Sequence, residues 1–132
     1  MNLVIFDGMS GSGKSTLRTN VMKLKGFDIL TIDRFTPSIW VYDKLRGVDR
    51  TDEMALYEKA LDELLSPLVV ITRCSPLVAA KRDQKIDVEF SYEQEYDMFW
   101  HYVLISEYKN LIRIDTSELS TIECAEYVVE RL

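Results

Sequence analysis

Histidine is nearly absent from this 132-residue chain: His101 stands alone, which excludes chemistry that needs a histidine pair. Cysteine is almost as scarce. Cys74 and Cys124 fall in neither metal-ligand nor redox spacing, and free thiols without a leader-like segment lead us to expect a reducing, cytoplasmic setting. Apolar runs are short: residues 68–71 are only strand-sized, and nothing approaches membrane-spanning length. Excess positive charge is missing too. Sixteen Lys and Arg face 22 Asp and Glu, a net charge of -6, and an acidic surface repels a phosphate backbone, so a long nucleic acid is a poor partner. With no repeat, low-complexity stretch or linker, residues 1–132 read as one domain.

The remaining composition is that of an ordinary globular protein, 47% hydrophobic and 29% charged. Residues 3–6 form an apolar, strand-forming run followed at once by a glycine-rich turn, as in a parallel strand buried on both faces. A helix is predicted over 14–25 with Gly26 ending it, then a strand over 27–32. Thr36-Pro37 opens a helix that Gly47 closes. Thr51 opens another, with Met54, Tyr57, Leu61, Leu64 and Leu65 at helical spacing. A strand over 68–71 precedes a short helix from Ser75-Pro76 to about Arg82, and residues 81–89 read as a polar loop. A long aromatic helix over 91–108, a strand over 111–114 and a capped helix from Ser120 complete the chain. In that last helix Ile122, Ala125, Val128, Val129 and Leu132 share one side. Strands alternating with helices predict an α/β fold of three layers, αβα, with a small, mostly parallel sheet of about four to five strands.

The motif G-x-x-x-x-G-K-S is complete in Gly8, Gly13, Lys14 and Ser15, between a predicted strand and a predicted helix, which makes the expected three-layer αβα architecture a P-loop NTPase fold. The glycines let the backbone curl so that successive N–H groups converge on phosphate oxygens, and the helix adds its positive end. Gly8, Ser10, Gly11, Ser12, Gly13, Lys14, Ser15 and Thr16 are therefore the expected ATP-phosphate cradle. Lys14 neutralises the β- and γ-phosphates and the Ser15 hydroxyl ligates Mg²⁺. The second strand ends in Asp33-Arg34, and ligands of an open parallel sheet sit beyond the carboxyl ends of its strands. Asp33 there holds Mg²⁺ or accepts a hydroxyl proton, and Arg34 suits an acceptor phosphate. Arg73, at the end of the third strand, is a weaker candidate. Lys81, Arg82 and Lys85 form a basic stretch suited to closing over a transferring phosphoryl group. Tyr92 and Tyr96 are the aromatics best placed to stack on an acceptor base, and Trp40 and Tyr42 either line that pocket or pack.

Asp33-Arg34-Phe35-Thr36-Pro37-Ser38, followed by Tyr42, resembles the D-R-[YH]-x-x-S-x-x-A-Y signature of thymidylate kinases. Ser75-Pro76 with Arg82 is similar to the stretch leading into that family's lid. Residues 114–117 resemble the loop that packs beside adenine, which makes Thr116 a nucleotide contact. The resemblance implies an ATP-dependent phosphotransferase with Mg²⁺, moving the γ-phosphoryl group to a small-molecule nucleotide or nucleoside, with Lys14, Asp33, Arg34 and Arg82 catalytic. The segment that carries much of the family's acceptor-base site is missing, because Gly26 alone separates the first helix from the Asp33 strand. Compact 5′-polynucleotide kinase domains are also similar around Gly26-Phe27, Asp33 and Ser38, giving as alternatives a kinase of polynucleotide 5′ ends or of a modified base in DNA. A regulatory ATP-binding protein without transfer activity is the alternative of another class.

Overall fold

The computed structural model describes residues 2–83 and 89–132. Within them, strands β1 (Asn2–Gly8), β2 (Ile29–Asp33), β3 (Leu68–Arg73) and β4 (Leu111–Asp115) alternate with helices α1 (Lys14–Lys25), α2 (Thr36–Leu45), α3 (Thr51–Leu65), α4 (Pro76–Asp83), α5 (Tyr92–Ile105) and α6 (Thr121–Val129). The strands pair in the order β2-β1-β3-β4, all parallel. Chain direction across the sheet reverses between β1 and β3, and the carboxyl ends of those two strands therefore bound the crevice where such a sheet takes its ligands.

Alternation along the central strands sorts the core into two layers. Val4, Phe6, Leu68 and Val70 meet Leu17 and Val21 of α1 and Cys124, Ala125 and Val128 of α6. On the other face Ile5, Val69 and Ile71 meet Trp40 and Val41 of α2, Met54 of α3, Ala79 of α4 and Phe99 and Tyr102 of α5. Both faces of β1 and β3 are covered, which is why their sequences are continuous apolar runs.

Four sequence expectations need correction. Phe27 and Asp28 belong to a single 3₁₀ turn, Gly26–Asp28, and the strand starts at Ile29. Residues 81–83 continue α4; of the predicted polar loop, residues 84–88, Lys85 among them, lie outside the described residues. Helix α5 stops at Ile105, not at 108. In α6, Ile122 is exposed while Cys124 takes the buried position.

Helix α3 is the largest departure. Its buried residues are Met54, Glu58 and Asp62, whereas Tyr57, Leu64 and Leu65 are exposed. The helix turns its carboxylates inward because the segment after α5 presents donors there. Glu58 accepts hydrogen bonds from the Tyr102 hydroxyl at 2.5 Å, and from the Ser106 hydroxyl and the Glu107 N–H at 3.2 Å each. Asp62 accepts from the Lys109 N–H at 3.3 Å. Buried backbone donors must be paired, and this requirement overrides apolar periodicity. Tyr102→Phe removes a donor from the buried Glu58 and is expected to destabilise the fold by about 1–3 kcal/mol, measured by denaturant unfolding.

Candidate functional site

The carboxyl edge of the sheet gathers the glycine loop after β1, the Asp33-Arg34 turn after β2, Thr72-Arg73 at the end of β3 and Asp115-Thr116 at the end of β4. Gly8 pairs in register with Thr72 and Phe6 with Asp33. A side chain on Gly8, whose φ is +141°, would run into the backbone of Thr72, with its nitrogen only 2.7 Å away. Only glycine fits where the loop leaves the sheet.

The loop is fastened from several directions. The Met9 N–H donates to the Thr72 carbonyl at 3.2 Å. The Ser12 hydroxyl is 2.6 Å from that of Thr72, and the Cys74 thiol donates to the Gly11 carbonyl at 3.3 Å. From the β4 side the Thr116 hydroxyl donates to the Ser12 carbonyl at 2.6 Å and accepts from Arg82 Nη1 at 3.0 Å. The Ser10 N–H is taken by the buried carboxylate of Glu95, at 3.0 Å, and the same Oε1 accepts from the Tyr42 hydroxyl at 2.8 Å. Burial, against the pull of Arg34 and with the Glu95 charge beside it, pushes the Tyr42 phenol up to about 12, so it remains a donor at neutral pH. Met9, Ser10 and Ser12 amides thus have protein acceptors, which leaves the Gly11 and Gly13 amides and those of the first turn of α1 without one among the described residues, at a helix N-terminus that attracts anions.

Lys14 is buried beneath this loop and its ammonium pairs with Asp33. Partial burial pushes the Asp33 carboxyl up, but the Lys14 hydrogen bond and charge, with Arg34 and Arg18 behind them, hold it below its ordinary value of 3.8. A carboxyl lowered in the folded state adds stability that is present above its unfolded value and lost as pH falls through the lowered one. With the Asp33 side chain 43% exposed, that contribution is small.

Ser10, Gly11, Ser12, Gly13, Lys14, Ser15, Thr16, Asp33 and Arg34 all line one pocket of about 410 Å³, with Asp83 on its rim. Gly8 lies behind it and offers its carbonyl to Arg34 at 2.9 Å. Arg34 Nη1 also reaches the Ser38 hydroxyl at 2.9 Å, while its Nε and Nη2 make no hydrogen bond among the described residues. A second pocket of about 580 Å³ shares Gly11, Gly13, Thr16 and Asp83 and continues to Leu17, Arg82, Thr116, Leu119, Ser120, Thr121 and Cys124. Arg82 and Thr116 therefore stand on the far side of the loop from Asp33 and Arg34.

Two groups of candidates are placed elsewhere. The Arg73 guanidinium lies 3.8 Å from the ring centroids of both Tyr96 and Trp100 as a cation–π stack, with its buried Nε lacking a hydrogen-bond partner among the described residues. Trp40 is buried, donating to the Thr51 hydroxyl at 3.0 Å. Tyr92 reaches Asp83 at 3.2 Å. The sequence reading missed Asp7, Glu95, Thr72 and the wall formed by Leu119, Ser120, Thr121 and Cys124. Asp7 alone left a signal, an acid at the end of an otherwise apolar strand.

A lysine-bearing glycine loop between the first strand and first helix of a doubly wound parallel sheet is the arrangement of a P-loop α/β fold. No protein-family model matches the chain, and neither does any curated protein. Among solved structures it is similar to a deoxyadenosine kinase from M. mycoides with bound dCTP, with a TM-score of 0.67 and 18% identity over 99% of this chain and 98% of that one. At this identity the likeness establishes the fold.

Proposed function

We propose that the chain is an ATP-dependent phosphotransferase that moves the γ-phosphoryl group to a nucleoside or nucleotide. The observation that carries this reading is the convergence of Lys14, Asp33 and Arg34 on one pocket floored by the glycine loop. A binding-only protein needs the lysine and the loop. It has no need of a carboxylate and an arginine from the neighbouring strand beside the transferring phosphate. That the neighbour of like fold is a deoxyadenosine kinase with bound dCTP favours a nucleoside acceptor. The signature from Asp33 to Tyr42 keeps a thymidylate-type nucleotide acceptor in the test.

Phosphoryl transfer needs positioning and charge stabilisation more than covalent chemistry. In this reading the donor base occupies the pocket walled by Thr116, Leu119 and Cys124, and its phosphates thread over Gly13 to the start of α1. Lys14 then exchanges Asp33 for the β- and γ-phosphates. Asp33, freed from the lysine, either orients the attacking hydroxyl and takes its proton or holds Mg²⁺, while Arg34 Nε and Nη2 hold the acceptor. Arg82, at the end of α4, offsets charge from the donor side as the site closes. Among the described residues no group of three His, Cys, Asp or Glu side chains could hold a metal ion. The exposed Ser15 hydroxyl and the Asp33 carboxylate are two hard oxygen donors on one pocket, which fits Mg²⁺ completing its shell with phosphates and water. Bound there, Mg²⁺ would offset phosphate charge.

ADP formation from Mg-ATP against a panel of deoxynucleosides, their monophosphates and 5′-hydroxyl oligonucleotides tests the proposal. Turnover stimulated by a nucleoside or monophosphate is expected. Stimulation by the oligonucleotides alone would move the assignment to polynucleotide 5′ ends, and ATP binding with no stimulated turnover would favour a regulatory role. Among the described residues no helix is long and apolar enough to cross a membrane, so the assay needs no lipid on that account.

A further inference from the structure

We propose that Asp7 is a positioning residue for phosphoryl transfer, its buried carboxylate holding the Arg34 turn and the start of α2 against the glycine loop; the role in transfer rests on the function proposed above. Asp7 is the penultimate residue of β1, on the face shared with Ile5, and its exposure is 0%. Five donors converge on it. Oδ1 accepts from the Gly8 N–H at 2.7 Å, the Ser38 hydroxyl at 2.5 Å and Arg34 Nη1 at 3.4 Å. Oδ2 accepts from the N–H groups of Phe35 and Ser38, at 2.9 Å each.

These bonds do three things at once. Helix α2 begins after Phe35, with no cap from its own side chains, and Asp7 supplies the missing cap from another strand by accepting from Phe35 and Ser38. Arg34 is held at φ +61°, a left-handed conformation that costs a side-chain-bearing residue energy unless its surroundings fix it. The third effect is directional. With Nη1 committed to Gly8, Ser38 and Asp7, the guanidinium keeps Nε and Nη2 for the acceptor in a fixed plane. Burial pushes the Asp7 carboxyl above its ordinary value, opposed by Ser38, Phe35, Arg34 and Gly8, and an asparagine would turn an amide donor toward a pocket made of donors.

The test compares wild type, Asp7→Asn and Ser38→Ala, the last deleting the hydroxyl between Asp7 and Arg34 while leaving both amide bonds. Mg-ATP affinity is measured by calorimetry, and kcat and acceptor KM are measured with the acceptor identified from the panel. Asp7→Asn is expected to lower kcat/KM for the acceptor about ten- to a hundredfold, with Ser38→Ala shifted the same way by less, while Mg-ATP affinity stays within about twofold. Folded Asp7→Asn with wild-type kcat and acceptor KM overturns the positioning role alone. Should Asp7→Asn fail to fold, Ser38→Ala decides: wild-type kinetics overturn the role. A loss of Mg-ATP affinity as large as the loss of turnover also overturns it, by making Asp7 part of the phosphate cradle. Wild-type protein that transfers to no acceptor removes the function reading and this role with it.

Discussion

Asp33→Ala is expected to lower turnover about a hundred- to ten-thousandfold, the range a positioned proton acceptor contributes. The same substitution should not weaken Mg-free ATP binding. In the structure Asp33 pairs with Lys14, and this pair must part before the lysine meets phosphate, so removing the carboxylate takes away a competitor and a like charge. Calorimetric titration with and without Mg²⁺ is expected to show Mg-free affinity equal to or tighter than wild type, and a smaller gain on adding Mg²⁺. Turnover within about threefold of wild type would remove Asp33 from the reaction. Weakened Mg-free binding would mean instead that Asp33 supports the loop's shape.

Gly8→Ala is expected to cost about 3–5 kcal/mol of unfolding free energy, a value reserved for changes that force backbone apart. The added carbon overlaps Thr72 on β3, and φ is +141°; strain and collision therefore act together. Gly11→Ala meets the Ala79 carbonyl at 2.6 Å, and relief there would push α4, which carries Arg82, away from the loop. Gly26→Ala is the control, since nothing lies within 4 Å and its φ is +59°; its cost is expected to be about 1 kcal/mol. Urea denaturation of the three variants separates collision from conformational strain. A Gly8→Ala cost close to that of Gly26→Ala would contradict the close approach of β3 to the loop.

The parts of the fold legible in the sequence were those governed by neighbours along the chain. The apolar run before Gly8, the helix starting at Lys14 and the capping box of Ser120 and Glu123 each depend on residues within a few positions. The glycine loop from Gly8 to Gly13 was legible for the same reason, as was the place of Asp33-Arg34 at a strand end. What periodicity could not show were partners brought from far away. The leucine spacing of α3 mispredicted its buried face because Glu58 and Asp62 answer donors that follow α5. Arg73 reads as a ligand at a strand end, and only the packing of α5 turns it onto Tyr96 and Trp100. Glu95 carries no signal in the sequence, because its carboxylate meets Ser10 and Tyr42 only once α5 lies against the loop. The wall of Leu119, Thr121 and Cys124 comes from a turn and a helix whose sequence carries no nucleotide motif.

The most direct test of the central claim follows the phosphoryl group itself. ATP labelled at the γ-phosphate is incubated with the protein and a pool of nucleosides and nucleoside monophosphates, and the products are separated. The account predicts that label appears in one nucleoside monophosphate or diphosphate, that its appearance requires Mg²⁺, and that Asp33→Ala slows it by about a hundredfold or more. Label that stays in ATP, or is released only as inorganic phosphate, would contradict it.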